Sequence, residues 1–370
     1  MGDRLPTRVV LVTEVDFWNG GAGHRARILA LVRYLAARLQ LSVVLPTPID
    51  DLQRARCEVA CPGLELTSLA LPARVTMAQA LLAMRSFFAA RPQQACIIEY
   101  LSLGWLLQAV PAGVSTLVDT HDVASQRDAD FMRAGRQPPW ALTTSAQERA
   151  RLALFDRVIA ISAPDAAQFS QWLGAERVLL APHAHEARPQ PFREQAHNLL
   201  FVGSGYAPNR DGLAWLLSEV WPRLQTTTAR LDVVGDAGQA LAGHVLPPMV
   251  HLHGQVTELE AAYREADLCL NPVQYGSGLK IKTVEALAHG RALVCSPHGA
   301  RGLEAWAGQA FVVADGTAQF AAAIDQLLAD AARRRQLAVS ALQVVCNSFN
   351  ADACYGPLLK VLSALTTQAG

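Results

Sequence analysis

The sequence predicts an α/β protein of two doubly wound parallel-sheet domains facing a shared cleft. Short β-branched runs alternate with Ala- and Leu-rich segments, the pattern of a parallel sheet wrapped by helices. The alternation stops once, at the Pro-rich polar stretch HEARPQPFREQAHN, and then restarts. The loops of ligand-type composition (NGGAGHR, DTHD, VGSGYAPNR and NPVQYGSGLKIK) all follow predicted strands, at the carboxyl ends where open α/β sheets bind ligands. With 370 residues there is chain enough for two domains, each burying its own core.

Taken in order, the polar lead MGDRLPTR runs straight into a strand over 9–13, without the apolar core and cleavage site of a signal peptide. Gly20 and Gly21 then precede a helix starting near His24. They form either a simple tight turn or a place where a phosphate or bulky acceptor approaches the backbone. A dinucleotide fingerprint is not met, because GGAGHRAR lacks the third glycine at the required spacing. A strand over 42–45 follows. Cys57 and Cys61 have no nearby Cys or His to complete a zinc set and read as structural thiols. The apolar helix over 77–92 either packs on the core or lies on the surface against lipid. Strands over 95–99 and 116–119 lead to DTHD, where His121 stands beside Asp122 at a strand end. That is an active-site position or a satisfied structural histidine. Strands over 157–161 and 178–181 complete a first domain of residues 1–187.

Residues 188–198 read as the linker. The second domain, 199–350, carries strands over 199–203, 231–234, 250–252, 268–271, 292–295 and 311–313. The last segment, 351–370, is expected to be a helix packing back on the first domain. Zero formal net charge argues against a nucleic-acid partner. No uncharged apolar run reaches the roughly eighteen residues that span a bilayer. The seven cysteines are odd in number, and Cys96, Cys269 and Cys295 lie in apolar runs, so a reducing, cytoplasmic location is expected.

The sharpest local signal is YGSGLKIKTVEALAHG. Of the three lysines in a chain with 29 arginines, two are Lys280 and Lys282, placed after Gly276, Ser277 and Gly278 at a predicted helix start. Unpaired N–H groups, a positive helix end and two ammonium groups together fit phosphate. Ile281, Val284 and Ala288 form an apolar stripe that is expected to face the core; Lys282, Glu285 and His289 share a second face. Glu285, a turn from the phosphate site, suits a ribose diol. The alternative is a solvated face with an ordinary Lys–Glu pair.

These residues carry a resemblance. GSGLKIKTVEALAHGRALVCSPHGARGL, GGAGHRARILALVRYLA, LVDTHDVASQR, LFDRVIAIS and FVGSGYAPNRDGLAWL together resemble a family 4 glycosyltransferase of the GT-B fold. Such enzymes have two Rossmann-like domains and move sugar from a nucleotide-sugar donor with retention of configuration. The resemblance implies that Glu285 is the donor-ribose ligand, matching the second acid of a Glu-x7-Glu motif. It implies that His121, with Asp122, is catalytic, and that Lys280 and Lys282 face the donor pyrophosphate beside Ser277 and Gly278. The first acid of the motif falls at Ser277, and the arginine expected after Gly203 is Ser204; Arg210 is then the candidate replacement cation. Gly20, Gly21 and His24 form the acceptor and phosphate loop. Asp119, Asp122 and Asp128 gather acids near His121, but the Asp-x-Asp pattern of metal-dependent transferases is read as absent there and the lysines already supply the cation, so neither metal nor cofactor is expected. The implied acceptor is a glycan or lipid-linked glycan of cell-surface polysaccharide synthesis, with peripheral contact at the inner membrane. A nucleotide-sugar epimerase on the same fold, or a degenerate binding subunit without catalysis, are the alternatives.

Overall fold

The computed structural model describes residues 7–72, 75–241, 243 and 245–365. The first sheet contains β1 (Arg8–Val12), β2 (Gln40–Leu45), β3 (Glu65–Ser68), β4 (Ala95–Glu99), β5 (Ser115–Asp119), β6 (Arg157–Ala160) and β7 (Val178–Leu180). The second contains β8 (Asn198–Val202), β9 (Arg230–Val234), β10 (Val250–Gly254), β11 (Leu268–Asn271), β12 (Ala292–Cys295) and β13 (Val312–Val313). Helices α1 (Gly23–Ala36), α2 (Asp51–Ala60), α3 (Met77–Ala90), α4 (Ala124–Arg133), α5 (Ser145–Leu152) and α6 (Ala163–Leu173) accompany the first sheet. The second has α7 (Ala207–Trp215), α8 (Leu259–Glu265), α9 (Ile281–Ala288), α10 (Gly316–Ala329) and α11 (Ala331–Val344), and α12 (Ala351–Ala364) follows.

Both sheets are wholly parallel, in the orders β3-β2-β1-β4-β5-β6-β7 and β10-β9-β8-β11-β12-β13. Helices cover both faces, so β1 and β4 are buried almost end to end and read as continuous apolar runs. Every strand read from the sequence is present. One was not read: β3, ELTS, is a half-exposed edge strand with three polar residues, and it makes DTHD the loop after the fifth strand rather than the fourth. Each sheet reverses its winding between two central strands, β1 and β4 in one and β8 and β11 in the other. A crevice opens at the carboxyl ends of such a pair.

The linker is shorter than expected at its far end, because Asn198 already pairs with Arg230 as the first residue of β8. It is also fastened: Arg188 N donates to Ala288 O (2.7 Å) and Arg291 Nη1 to Pro191 O (3.0 Å). Helix α12 lies on α1 and β7, burying Tyr355, Leu358 and Leu362 completely. Tyr34 Oη donates to Asp352 Oδ1 (2.9 Å), and Ala184 N donates to Tyr355 Oη (3.2 Å). His185 N donates to Phe349 O (2.8 Å), so the two chain crossings between the sheets are bonded to each other. Residues 366–370 of the predicted last segment, and the polar lead through residue 6, lie outside the described residues.

The apolar 77–92 segment forms α3, started by a Thr76–Gln79 capping box, with Ala80, Leu81, Met84, Phe87 and Phe88 against the core and Met77 and Leu82 exposed. Among the described residues, no helix is long and apolar enough to cross a membrane. Cys57 and Cys61 are buried, and burial pushes the Cys57 thiol up to about 11.

Candidate active site

The two crevices face one another. After β11 the chain turns through Gly276 (φ 102°) and Gly278 (φ 71°), conformations that glycine adopts without strain. Gly278 has a second reason to lack a side chain: a Cβ there would stand 2.7 Å from the His121 carbonyl oxygen and 3.1 Å from Asp122 Cβ. The loop after β11 of one domain thus sits directly on the DTHD loop of the other. A Cβ at Gly23, the first residue of α1, would likewise lie 3.2 Å from Ile281 Cδ1, at the first turn of α9. Ile281, predicted to face the core of its own domain, instead reaches across to α1.

Helices α1, α7 and α9 all begin at these crevices without a side-chain cap. Helix α4 beside them is capped: Glu148 accepts from Ala124 N (2.7 Å) and Ser125 N (2.8 Å). Uncapped starts present N–H groups and positive dipole ends, which favour an anion. Gly20 and Gly21 flank one of them, with φ of 63° and 76°. Among the described residues, and apart from its chain neighbours, nothing lies within 4 Å of where a Gly20 Cβ would stand; at Gly21 the nearest atoms belong to the Gln255 side chain, at 3.9 Å.

On the second-domain side, Lys280 Nζ donates to Ser277 O (2.8 Å) and Lys282 Nζ to Asn209 Oδ1 (2.5 Å). Asn209 Nδ2 in turn donates to Ser204 O and Ser204 Oγ, both at 3.1 Å, so Asn209 joins Lys282 to the loop after β8. Gly203 closes that loop tightly: its carbonyl oxygen would be 2.3 Å from a Cβ on Gly235. Burial lowers Lys280 to about 8 and, reinforced by Lys280, Lys282 to about 7; burial raises Glu285 to about 7. Tyr263 Oη donates to Glu285 Oε2 at 3.4 Å. Neither ammonium has a carboxylate partner at salt-bridge distance among the described residues. Arg210 is exposed on α7, and the neighbour at 209 makes the contact to Lys282.

On the first-domain side, His121 is buried with its Nε2 2.6 Å from Glu99 Oε2, and its ring stacks on Tyr100 at 4.1 Å and 12°. His121 (φ 60°) and Tyr100 (φ 68°) are two of three described non-glycine residues with left-handed φ. Such strain costs about 1–3 kcal/mol each and gathers at functional sites. His24 packs edge-on to Tyr100, and burial, then His121, lowers it to about 4. Asp122 pairs with Arg127 Nη1, at 3.2 Å from both carboxylate oxygens. Behind them the fully buried Arg27 binds both oxygens of Asp119 (2.8–3.1 Å) and donates to Ala181 O (2.9 Å).

Among the described residues, Glu99, Asp119 and His121 bring possible ligand atoms within 4.8 Å of one another. The Arg27 guanidinium already holds both Asp119 oxygens, and His121 holds one oxygen of Glu99. Contrary to the expectation that no Asp-x-Asp pattern stands near His121, Asp128 and Asp130 form one on α4, but residues two apart on a helix diverge. Asp128 accepts from Trp140 Nε1 (2.8 Å) and Thr143 N (2.7 Å), whereas Asp130 pairs with Arg301 (3.2 Å) from the other domain. A further cross-domain clasp joins Arg136 to Asp211 through two bonds (2.8 and 2.9 Å), with Tyr275 Oη donating to Asp211 at 2.6 Å. Phe131 meets Tyr275 edge-on at 5.0 Å beside it.

Sequence reasoning singled out neither Glu99, Asn209, Arg27 nor Asp165. Asp165 is buried, both its oxygens lack a hydrogen-bond partner, and burial raises it to about 6. Its only sequence mark is the Ser162-x-x-Asp165 spacing of a helix start.

Comparison with known proteins bears on this geometry. Residues 22–184 match the glycosyl transferase 4-like domain, and residues 196–330 match glycosyl transferases group 1. An uncharacterized 44.6 kDa protein in the cps region of Klebsiella pneumoniae is 23% identical over 220 residues; the match spans 56% of this chain and only 56% of that protein's own length. Sucrose-phosphate synthase from Thermosynechococcus elongatus superposes with a TM-score of 0.75 at 17% identity, covering 98% of this chain and 99% of that one. Anabaena Alr3699/HepE, solved with UDP-glucose, gives 0.72 at 14% identity, covering 96% and 99%. With matched models over both halves and the two parallel-sheet domains of the GT-B fold, the chain belongs to the glycosyl transferases group 1 family.

Proposed function

We propose that this protein moves a sugar, with retention, from a nucleotide diphosphate sugar to a glycan or lipid-linked acceptor in bacterial cell-surface polysaccharide or glycoconjugate synthesis. The observation that carries the reading is the convergence of uncapped helix starts from both domains on Lys280 and Lys282, two half-buried ammonium groups without a carboxylate at salt-bridge distance among the described residues. Glu285 would take the donor ribose and the lysines the leaving diphosphate. Charge grows on that group as the glycosidic bond breaks, so fixed cations there favour the transition state over the ground state. His121, with Asp122 beside it, would hold the reacting sugar from across the cleft. Retention rests on the resemblance of the donor loop to family 4 transferases. The UDP-glucose bound by Alr3699/HepE supports a nucleotide-sugar donor. The acceptor would enter past Gly20 and Gly21. Contact with the cytoplasmic face of the inner membrane has its support in the exposed Met77 and Leu82 of α3.

Changing both Lys280 and Lys282 to alanine should weaken nucleoside diphosphate binding by about tenfold or more per lysine and nucleoside binding far less, because only charged hydrogen bonds are removed. Burial holds both amines below their ordinary range, so the incoming anion should draw protons onto them. Calorimetry near pH 7–8 in buffers of different ionisation enthalpy should then show proton uptake in the native protein and not in the variant. Equal losses for nucleotide and nucleoside would sink the assignment.

Since the cation is built from lysines and helix ends, we also propose metal independence. Turnover of the matched donor and acceptor should survive chelator unchanged. Abolition by chelator with rescue by manganese or magnesium would contradict this.

A further inference from the structure

We propose that Glu99 is the positioning residue of the reaction: it binds one nitrogen of the His121 ring and so fixes the ring with its other nitrogen toward the cleft. The inference rests on the catalytic reading of His121 and adds a partner to it.

The geometry is specific to this pair. Glu99 is the last residue of β4 and wholly buried, and its Oε2 lies 2.6 Å from His121 Nε2. Its second oxygen, Oε1, is buried with no hydrogen-bond partner among the described residues. His121 is thus the side chain to which this carboxylate is committed. Nearby groups do not compete. From α1, Arg27 spends its donors on Asp119 and Ala181 O, and His24 faces Tyr100. From β5, Asp119 answers Arg27; on the following loop, Asp122 answers Arg127. His183, beyond β7, is buried with both ring nitrogens unpartnered. Burying a carboxylate on a single partner is costly, and burial with the neighbouring Asp119 raises Glu99 above the ordinary carboxylate range. A fold that needed only a filled core at this position would be served by an apolar residue.

The backbone adds a second cost at the same place. Tyr100, next to Glu99, and His121 both hold left-handed φ, and their rings stack face to face. One side of the imidazole is covered by Tyr100 and one ring nitrogen is bound by Glu99. With Nε2 committed, Nδ1 is the ring atom left to meet a donor sugar. A hydrogen bond at one ring nitrogen sets the tautomer and orientation of the other; where such partners support metal-binding histidines their loss lowers affinity or activity about 10–100-fold, and the same scale is expected here.

The test uses the full-length protein and Glu99→Gln, which keeps the volume and removes a buried charge. The nucleoside diphosphate is whichever of UDP, GDP, CDP and ADP raises the melting temperature most, and the donors are its sugar conjugates. We expect kcat for donor turnover to fall about 10–100-fold in Glu99→Gln, with donor KM, nucleoside diphosphate affinity and melting temperature close to native. In the native protein without ligand, proton NMR should show a strongly deshielded, exchange-protected imidazole N–H that disappears in both Glu99→Gln and His121→Ala. Native kcat in Glu99→Gln alongside an inactive His121→Ala overturns the positioning role and leaves the cleft reading intact. Native turnover in His121→Ala overturns the catalytic reading itself. Loss of nucleotide affinity or of folding in Glu99→Gln makes Glu99 structural, and absence of the protected resonance from the native spectrum removes the hydrogen bond on which the role depends.

Discussion

Alanine at His121 is expected to cut turnover by about a hundredfold or more while nucleoside diphosphate affinity stays within a few-fold, the scale of losing one positioned polar group. The separation follows from where the contacts lie. Lys280, Lys282 and Glu285 belong to α9 and the loop before it, whereas the His121 imidazole is held within the first domain by Glu99 and Tyr100. What His121 gives the other domain is its backbone carbonyl against Gly278, and the substitution leaves that in place. Single-turnover kinetics paired with calorimetry measure the two quantities independently. If His121→Ala lost nucleotide binding together with its fold, the histidine would be a structural one.

Arg27→Ala is expected to lower the unfolding free energy by about 3–5 kcal/mol, the usual cost of leaving one member of a buried ion pair alone. Arg27 and Asp119 are both wholly buried, and the guanidinium covers both carboxylate oxygens. Without it a bare carboxylate remains inside the first sheet, at the end of β5. The same reasoning predicts that Arg27→Met combined with Asp119→Leu recovers most of the loss, because two apolar groups need no partner. Urea unfolding measures both variants. A native midpoint for Arg27→Ala, or a double variant weaker than the single one, would show that the pair is not what stabilises this region.

What the sequence disclosed was local, and what it concealed was long-range. The glycines and lysines of YGSGLKIK declare themselves because turn conformation and helix-end electrostatics act within a few residues. Glu99 and His121 are 22 residues apart, Lys282 and Asn209 73, and Arg27 and Asp119 92. Each pair meets only because the sheet order brings those strand and helix ends together. Arg210, the expected replacement cation, is exposed on α7, while the neutral Asn209, which no charge-based reading selects, touches Lys282. Strand β3 escaped notice because an edge strand with one face in water needs few apolar residues, and Glu65, Thr67 and Ser68 give the periodicity nothing to show. Ile281 fitted the stripe of α9 by spacing, but facing domains give a helix two apolar environments, and spacing cannot tell them apart.

The return of α12 to the first domain sets an order of events during synthesis. Strand β7 ends at Leu180, and its sheet then has all its strands, yet the patch of α1 around Tyr34 stays bare until residues 351–364 have been made. A growing chain emerges amino end first, so the half that begins first is sealed last, after the whole second sheet has been laid down. A chain stalled after α11 has emerged but before α12 has would therefore display a second sheet with its helices in place and a first domain that still shows apolar surface to chaperones.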